Sequence, residues 1–265
     1  MSRKQENLKR GKAEPESSGN RGLLLVLGAI GVAGVAILGY SLATGAFASA
    51  ATEPVELDYA DDPERLIEEA VAVEMGDPDA PVTLMEFADY QCPGCAHFAT
   101  QIKPQLRQEF IETGQVHFVF HDFPLSGHAN AFLAARAARC AGDQDVYWDY
   151  HDVLAARQNE WATQSDPRGL FTDYAEAVGA DGSAFRECVN SDRHAETVTA
   201  NAALGDQLGV TGTPWVLVSE RGGAPQRVEE WNDYDEVAAI LDSLLGDEAA
   251  EEEDDLAQEE ADTEL

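Results

Sequence analysis

Two cysteines, Cys92 and Cys95, are separated by Pro93 and Gly94. Just before them runs Val82 to Phe87, VTLMEF, an apolar stretch broken by one acid, Glu86, which reads as a buried strand. A helical pattern follows, with apolar positions at Phe98, Ile102, Leu106, Phe110 and Ile111. The cysteines therefore sit where a strand hands over to a helix. Pro93 suits the first helical position, because its missing N–H would have no partner there and its φ is already helical. That places Cys92 at the N-cap, facing free backbone N–H groups and the positive end of the helix dipole. A thiolate is stabilised in such a place, and the thiolate is the reactive form of cysteine. Cys95 lies one helical turn inward on the same face, close enough to close a disulfide with Cys92. Thiol–disulfide exchange is the chemistry this spacing offers, with Cys92 as nucleophile and Cys95 as resolving thiol.

The other classes weaken on inspection. A zinc site would need a second ligand pair, but His97 is too close to Cys95 and His194 follows Cys188 alone, so no metal is expected. The net charge of −33 over 265 residues argues against nucleic acid, whose phosphates would be repelled. The acids also decorate the presumed folded part, which points to a protein adapted to high salt or an unusually acidic protein from an ordinary host.

The strand–turn–helix around FADYQCPGC resembles the DsbA-like branch of the thioredoxin superfamily. Thr213-Pro214 in VTGTPWVLV and the cysteine-containing helical block between the two motifs carry the rest of that resemblance, which covers roughly 71–246. It implies an α/β, thioredoxin-like fold with a helical insertion at about 126–208. It implies that Glu86 is a buried proton acceptor beneath Cys95. Burial would raise the pKa of such a carboxyl and let it relay the resolving thiol's proton. It also implies that Thr213-Pro214 is a cis-proline loop facing the cysteines and pairing with an extended substrate. Cys140 and Cys188 read as a structural disulfide tying the insertion together, with a second redox relay as the alternative. No cofactor is expected. The family's best-known oxidases carry Pro-His between the cysteines, where this chain has Pro-Gly.

The remaining elements frame this site. Residues 1–21 are polar and basic and read as a cytoplasmic tail. Residues 22–45 lie in an uncharged run long enough for a single transmembrane helix, and the basic residues before it place the N-terminus inside. Cleavage after Ala50 would instead yield a secreted form. Residues 46–70 read as a spacer whose end, 63–70, is expected to be helical, and the acidic 247–265 as a disordered tail. Between them the pattern predicts strands at Val71–Met75, Val116–Phe120, Trp215–Ser219 and Gln226–Trp231. It predicts helices from Ser126, as cap, to Ala141, then Asp145–Gln158, Asp166–Val178, Asp181–Val189, Arg193–Leu208 and Tyr234–Leu245. Pro104 should kink the helix after the cysteines. The expected function is an extracytoplasmic, membrane-anchored oxidoreductase that forms disulfides in secreted or surface proteins and is reoxidised by a membrane partner such as a quinone-linked oxidase. An isomerase or reductase of the same fold, and a non-catalytic chaperone-like domain, are the alternatives.

Overall fold

The computed structural model describes residues Ala50–Gly246. The expected tail 1–21, span 22–45 and acidic tail 247–265 lie outside the described residues. Among those described, no helix is long and apolar enough to cross a membrane.

The sheet has five strands in the order β1-β3-β2-β4-β5, with β1 Val73–Met75, β2 Val82–Ala88, β3 Val116–Asp122, β4 Trp215–Glu220 and β5 Gln226–Arg227. Only β2 and β3 run parallel; the other pairs are antiparallel. A parallel pair needs a crossover, and the helix carrying the cysteines supplies it. Every residue of β3 is buried, His117, His121 and Asp122 along with its apolar residues. β2 lies at the centre, so Glu86 is flanked by Phe120 on one side and Val216 on the other.

The crossover helix, α2, begins as Pro93–His97 and runs through Phe98–Ile102, Lys103–Leu106 and Arg107–Ile111, the first and last of these three being π-helical. The N–H of Lys103 bonds to the carbonyl of Phe98, five residues back. Pro104 can offer no N–H, and its ring crowds the preceding turn; the wider π turn makes room for it. The kink expected from Pro104 thus takes the form of two π turns.

Six helices lie between β3 and β4: α3 Ala131–Gly142, α4 Tyr147–Ala156, α5 Gln158–Trp161, α6 Arg168–Ala177, α7 Gly182–Val189 and α8 Ala195–Gln207. A last helix, α9, occupies 234–246. Trp161, Tyr150, Phe171 and Phe185 are fully buried in this helical block. Cys140 on α3 is bonded to Cys188 on α7.

Three expectations need correction. Ser126 does not cap α3; the helix starts after Asn130. Residues 125–130 are held as a loop by tertiary bonds, for Leu125 N–H and His128 Nδ1 reach Asp89 Oδ2 and Asn130 N–H reaches Gln91 Oε1. Second, β5 ends at Arg227, four residues short of the expected Trp231, because after Val228 the chain turns. Third, the spacer, whose helical end is found as expected, also packs onto the fold where it is described. Its helix α1, Pro63–Glu69, is capped by Asp62, and Tyr59, Leu66 and Ala70 bury themselves against Ala200 of α8. Their sparse spacing among acids hid that face.

Candidate active site

Cys92 is the N-cap of α2, with Pro93 at the first helical position. Its φ of −74° and ψ of 125° are extended, as a cap requires, and its side chain makes no capping bond. The sulfur stays close to the first N–H groups of the helix, those of Gly94 and Cys95. Both Cys92 and Cys95 are thiols here and nearly buried. Cys92 Sγ lies 3.3 Å from the carbonyl oxygen of Thr213, across a Thr213-Pro214 peptide bond that is cis. The cis-proline loop and the helix start thus meet at this sulfur.

The two thiols differ sharply. The pKa of Cys92 is lowered from 9.0 to about 5, first by the hydrogen bond it receives from the Cys95 thiol, then by Thr213 and by the N–H groups of Cys95 and Gly94, all against the cost of burial. Cys95 is pushed well above 9.0, chiefly by burial, then by its bond to Cys92 and by the negative charge of Glu86. The Asp89 N–H, 3.4 Å from Cys95 Sγ, opposes this weakly. One cysteine is poised to be a thiolate and the other to keep its proton.

Glu86 is 1 % exposed, and its Oε2 has no hydrogen-bond partner. Burial raises its pKa from 4.5 to about 8; Lys103 opposes the rise and Cys92 adds to it. Glu86, Asp89, Tyr90, Cys95, Phe120 and His151 line one cavity of about 10 Å³, at the lower edge of what one water needs. The Glu86 carboxyl and the Cys95 thiol therefore face the same small space.

Several residues that serve the site were not singled out from the sequence. Lys103 is 2 % exposed beneath it, with Nζ 2.6 Å from Asp152 Oδ1 and 3.0 Å from His151 Nδ1. Burial lowers its pKa, while Asp152 and Glu86 hold it up. Its neighbours Gln101, Gln105 and Arg107 are polar, so in the sequence Lys103 reads as one more exposed side chain. Asp89, 1 % exposed, accepts from the N–H groups of Gln91 and Leu125 and pairs with His128. Gln158 donates from Nε2 to the carbonyls of Tyr90 and Cys92, and Gln91 donates to Ala162 O. These bonds fix the cysteine loop to the helical block.

Cys140, Cys188 and His194 also approach within 4.8 Å of one another, but the two sulfurs are bonded together and Asp143 already pairs with His194 and Arg193. No thiolate is left there to ligate.

A family model described as thioredoxin matches residues 69–243. The chain is 28 % identical over 177 residues to disulfide bond formation protein D of Bacillus subtilis, covering 64 % of this chain and 76 % of that one. It spans about half the length, or less, of the next curated relatives it matches. Oxidised BdbD from Bacillus subtilis superposes with a TM-score of 0.59 at 25 % identity, over 75 % of this chain and 98 % of that one. The α-DsbA1 of Wolbachia pipientis superposes equally well, at 0.59, with 21 % identity over 68 % of this chain and 94 % of that one, and shares the fold. With the matched model spanning well over half of its length, and both cysteines inside the match, this chain belongs to the thioredoxin family.

Proposed function

We propose that this thiol–disulfide oxidoreductase introduces disulfides into secreted or surface proteins. The observation that carries the reading is the asymmetry of the cysteine pair: Cys92 held at about 5 and Cys95 held high. Stabilising the Cys92 thiolate stabilises the reduced enzyme, so the oxidised enzyme is the stronger oxidant.

In the oxidised state a substrate thiolate attacks Cys92 Sγ. The new mixed S–S bond forms as the Cys92–Cys95 bond breaks, and the electron pair leaves on Cys95. The proton that Cys95 then takes up comes from Glu86, neutral near pH 7 at a pKa of about 8. A second substrate thiolate attacks the substrate sulfur of the mixed bond and expels Cys92 as a thiolate. The substrate leaves with one disulfide, and the enzyme keeps two reduced cysteines. Thr213 and Pro214 border Cys92 and offer backbone to an extended substrate chain. If substrate release stalls, Cys95 gives its proton back to the Glu86 carboxylate and attacks Cys92. Cys140–Cys188 serves as a structural bridge.

The setting completes the proposal. Residues 22–45 anchor the chain with 1–21 inside the cell, 46–70 lead out, and 71–246 act outside before the acidic tail 247–265. A membrane reoxidant, such as a quinone-linked oxidase, accepts the two electrons from the reduced pair. Oxidation of a reduced two-cysteine peptide by the purified, oxidised protein tests the reading. Stoichiometric product from the wild type and none from Cys92→Ser is expected. Equal yields from the two proteins would overturn it.

A further inference from the structure

The second position between the cysteines, Gly94, has no side chain, and the structure shows what stands in that space. A Cβ at Gly94 would lie 3.0 Å from Cη2 of Trp231, 3.1 Å from Cδ of Pro214 and 3.6 Å from Cys92 Sγ. The first two separations are shorter than carbon–carbon contact at its optimum. Two rigid rings, one from the segment after β5 and one from the cis-proline loop, thus close on a single point beside the reactive sulfur. Trp231 is not a loose surface side chain. It packs against the main core, and the chain around it is held. Val228 N–H bonds to Val216 O at 2.9 Å, and His97 Nε2, near the start of α2, lies 3.5 Å from Asn232 O. The early end of β5 turns the chain back and delivers the indole to the start of α2.

We propose that Trp231 is a positioning and access residue for the chemistry at Cys92. Resting on the oxidoreductase reading above, this assigns it the flank of Cys92 that a side chain at position 94 would otherwise fill. Gly94 and Trp231 are a matched pair: a Cβ at position 94 would press on the tip of the indole and force it to give by a few tenths of an ångström. Cys92 Sγ is then bordered by the Thr213 carbonyl on one side and by the space between Gly94 and Trp231 on the other. A cysteine presented in an extended, unfolded segment lies along the Thr213–Pro214 edge and reaches the sulfur. A thiol set on a bulky, folded surface meets the indole first.

Alkylation of the reduced, full-length protein tests this without calling on substrate oxidation. The probes are iodoacetamide as a small reagent and fluorescein maleimide as a bulky one, with modification at Cys92 read by mass spectrometry. Trp231→Ala should raise the bulky reagent's rate relative to the small one's by about tenfold. Trp231→Phe, which keeps a ring, should retain most of the wild-type contrast. Gly94→His should slow both reagents, and adding Trp231→Ala to it should restore them. Equal changes for the two reagents in Trp231→Ala, or a Gly94→His protein that reacts like the wild type, would overturn the proposal. A protein that shows the contrast yet fails to oxidise the two-cysteine peptide would keep this assignment and sink the functional one.

Discussion

Replacing Glu86 by glutamine probes the buried acid most cleanly. The side chain is 1 % exposed in the central strand, with Oε2 unpartnered and its pKa raised from 4.5 to about 8, mainly by burial. Between those two values the folded chain holds a proton that the unfolded chain has released. Stability therefore falls as pH rises through that window, by about 1.36 kcal/mol per pH unit. From pH 4.5 to about 8 the loss is on the order of 5 kcal/mol. Cys92 acts in the opposite sense: its folded pKa is depressed, so its contribution grows as pH rises from about 5 towards 9.0. In the disulfide form Cys92 does not titrate, which leaves Glu86 exposed to measurement. The assay is urea unfolding of oxidised wild-type and Glu86→Gln protein at pH 5 and pH 8. Glutamine resembles the neutral carboxyl, and Lys103 keeps its partner Asp152 at 2.6 Å. The two proteins should be of similar stability at pH 5, and the variant should be more stable by several kcal/mol at pH 8. A stability difference that stays constant with pH would show that Glu86 carries its charge at neutrality, and would refute its use as a proton source.

Three further outcomes follow from the geometry. Alkylation of the reduced pair against pH should find Cys92 reacting with an inflection near 5 and Cys95 inert; labelling of Cys95 first would contradict the assignment. Replacing both Cys140 and Cys188 by serine should cost about 4 kcal/mol in chemical denaturation, from a loop of 48 residues in the chain-entropy model, and leave Cys92 alkylation unchanged. With a net charge of −33, raising salt from about 0.1 M to about 1 M, which shortens the Debye length from about 10 to 3 Å, should raise the melting temperature and lower the Cys92 pKa further. A melting temperature that climbs while the thiolate absorbance titration stays put would show that surface charge does not reach the sulfur.

The order of strands and helices was legible in the sequence because it follows from local pattern. Period-two and continuous apolar runs marked β2 and β3, and Pro93 marked the start of α2. What failed was decided by distant partners. Ser126 has the right chemistry for a cap, yet Asp89 and Gln91, more than thirty residues upstream, hold that stretch as a loop. Gln226–Trp231 follows the Gly222-Gly223 turn as a returning strand would, but the tryptophan leaves the sheet for Gly94. At the site, the two cysteines stood out because a scarce residue type recurred at a strand–helix junction, whereas Glu86, one of 50 acids, was singled out only through the family resemblance. Lys103, Gln158 and Asp89 could not, since each is an ordinary polar residue until the fold buries it beside the cysteine loop.

The reduction potential of the Cys92–Cys95 pair, from equilibration with glutathione, tests the central claim most directly. An oxidase whose Cys92 thiolate is held at a pKa of about 5 should be clearly more oxidising than thioredoxin, shifted towards the strong-oxidant end at about −120 mV. A value near −270 mV, as in thioredoxin, would make the protein a reductant and contradict the account.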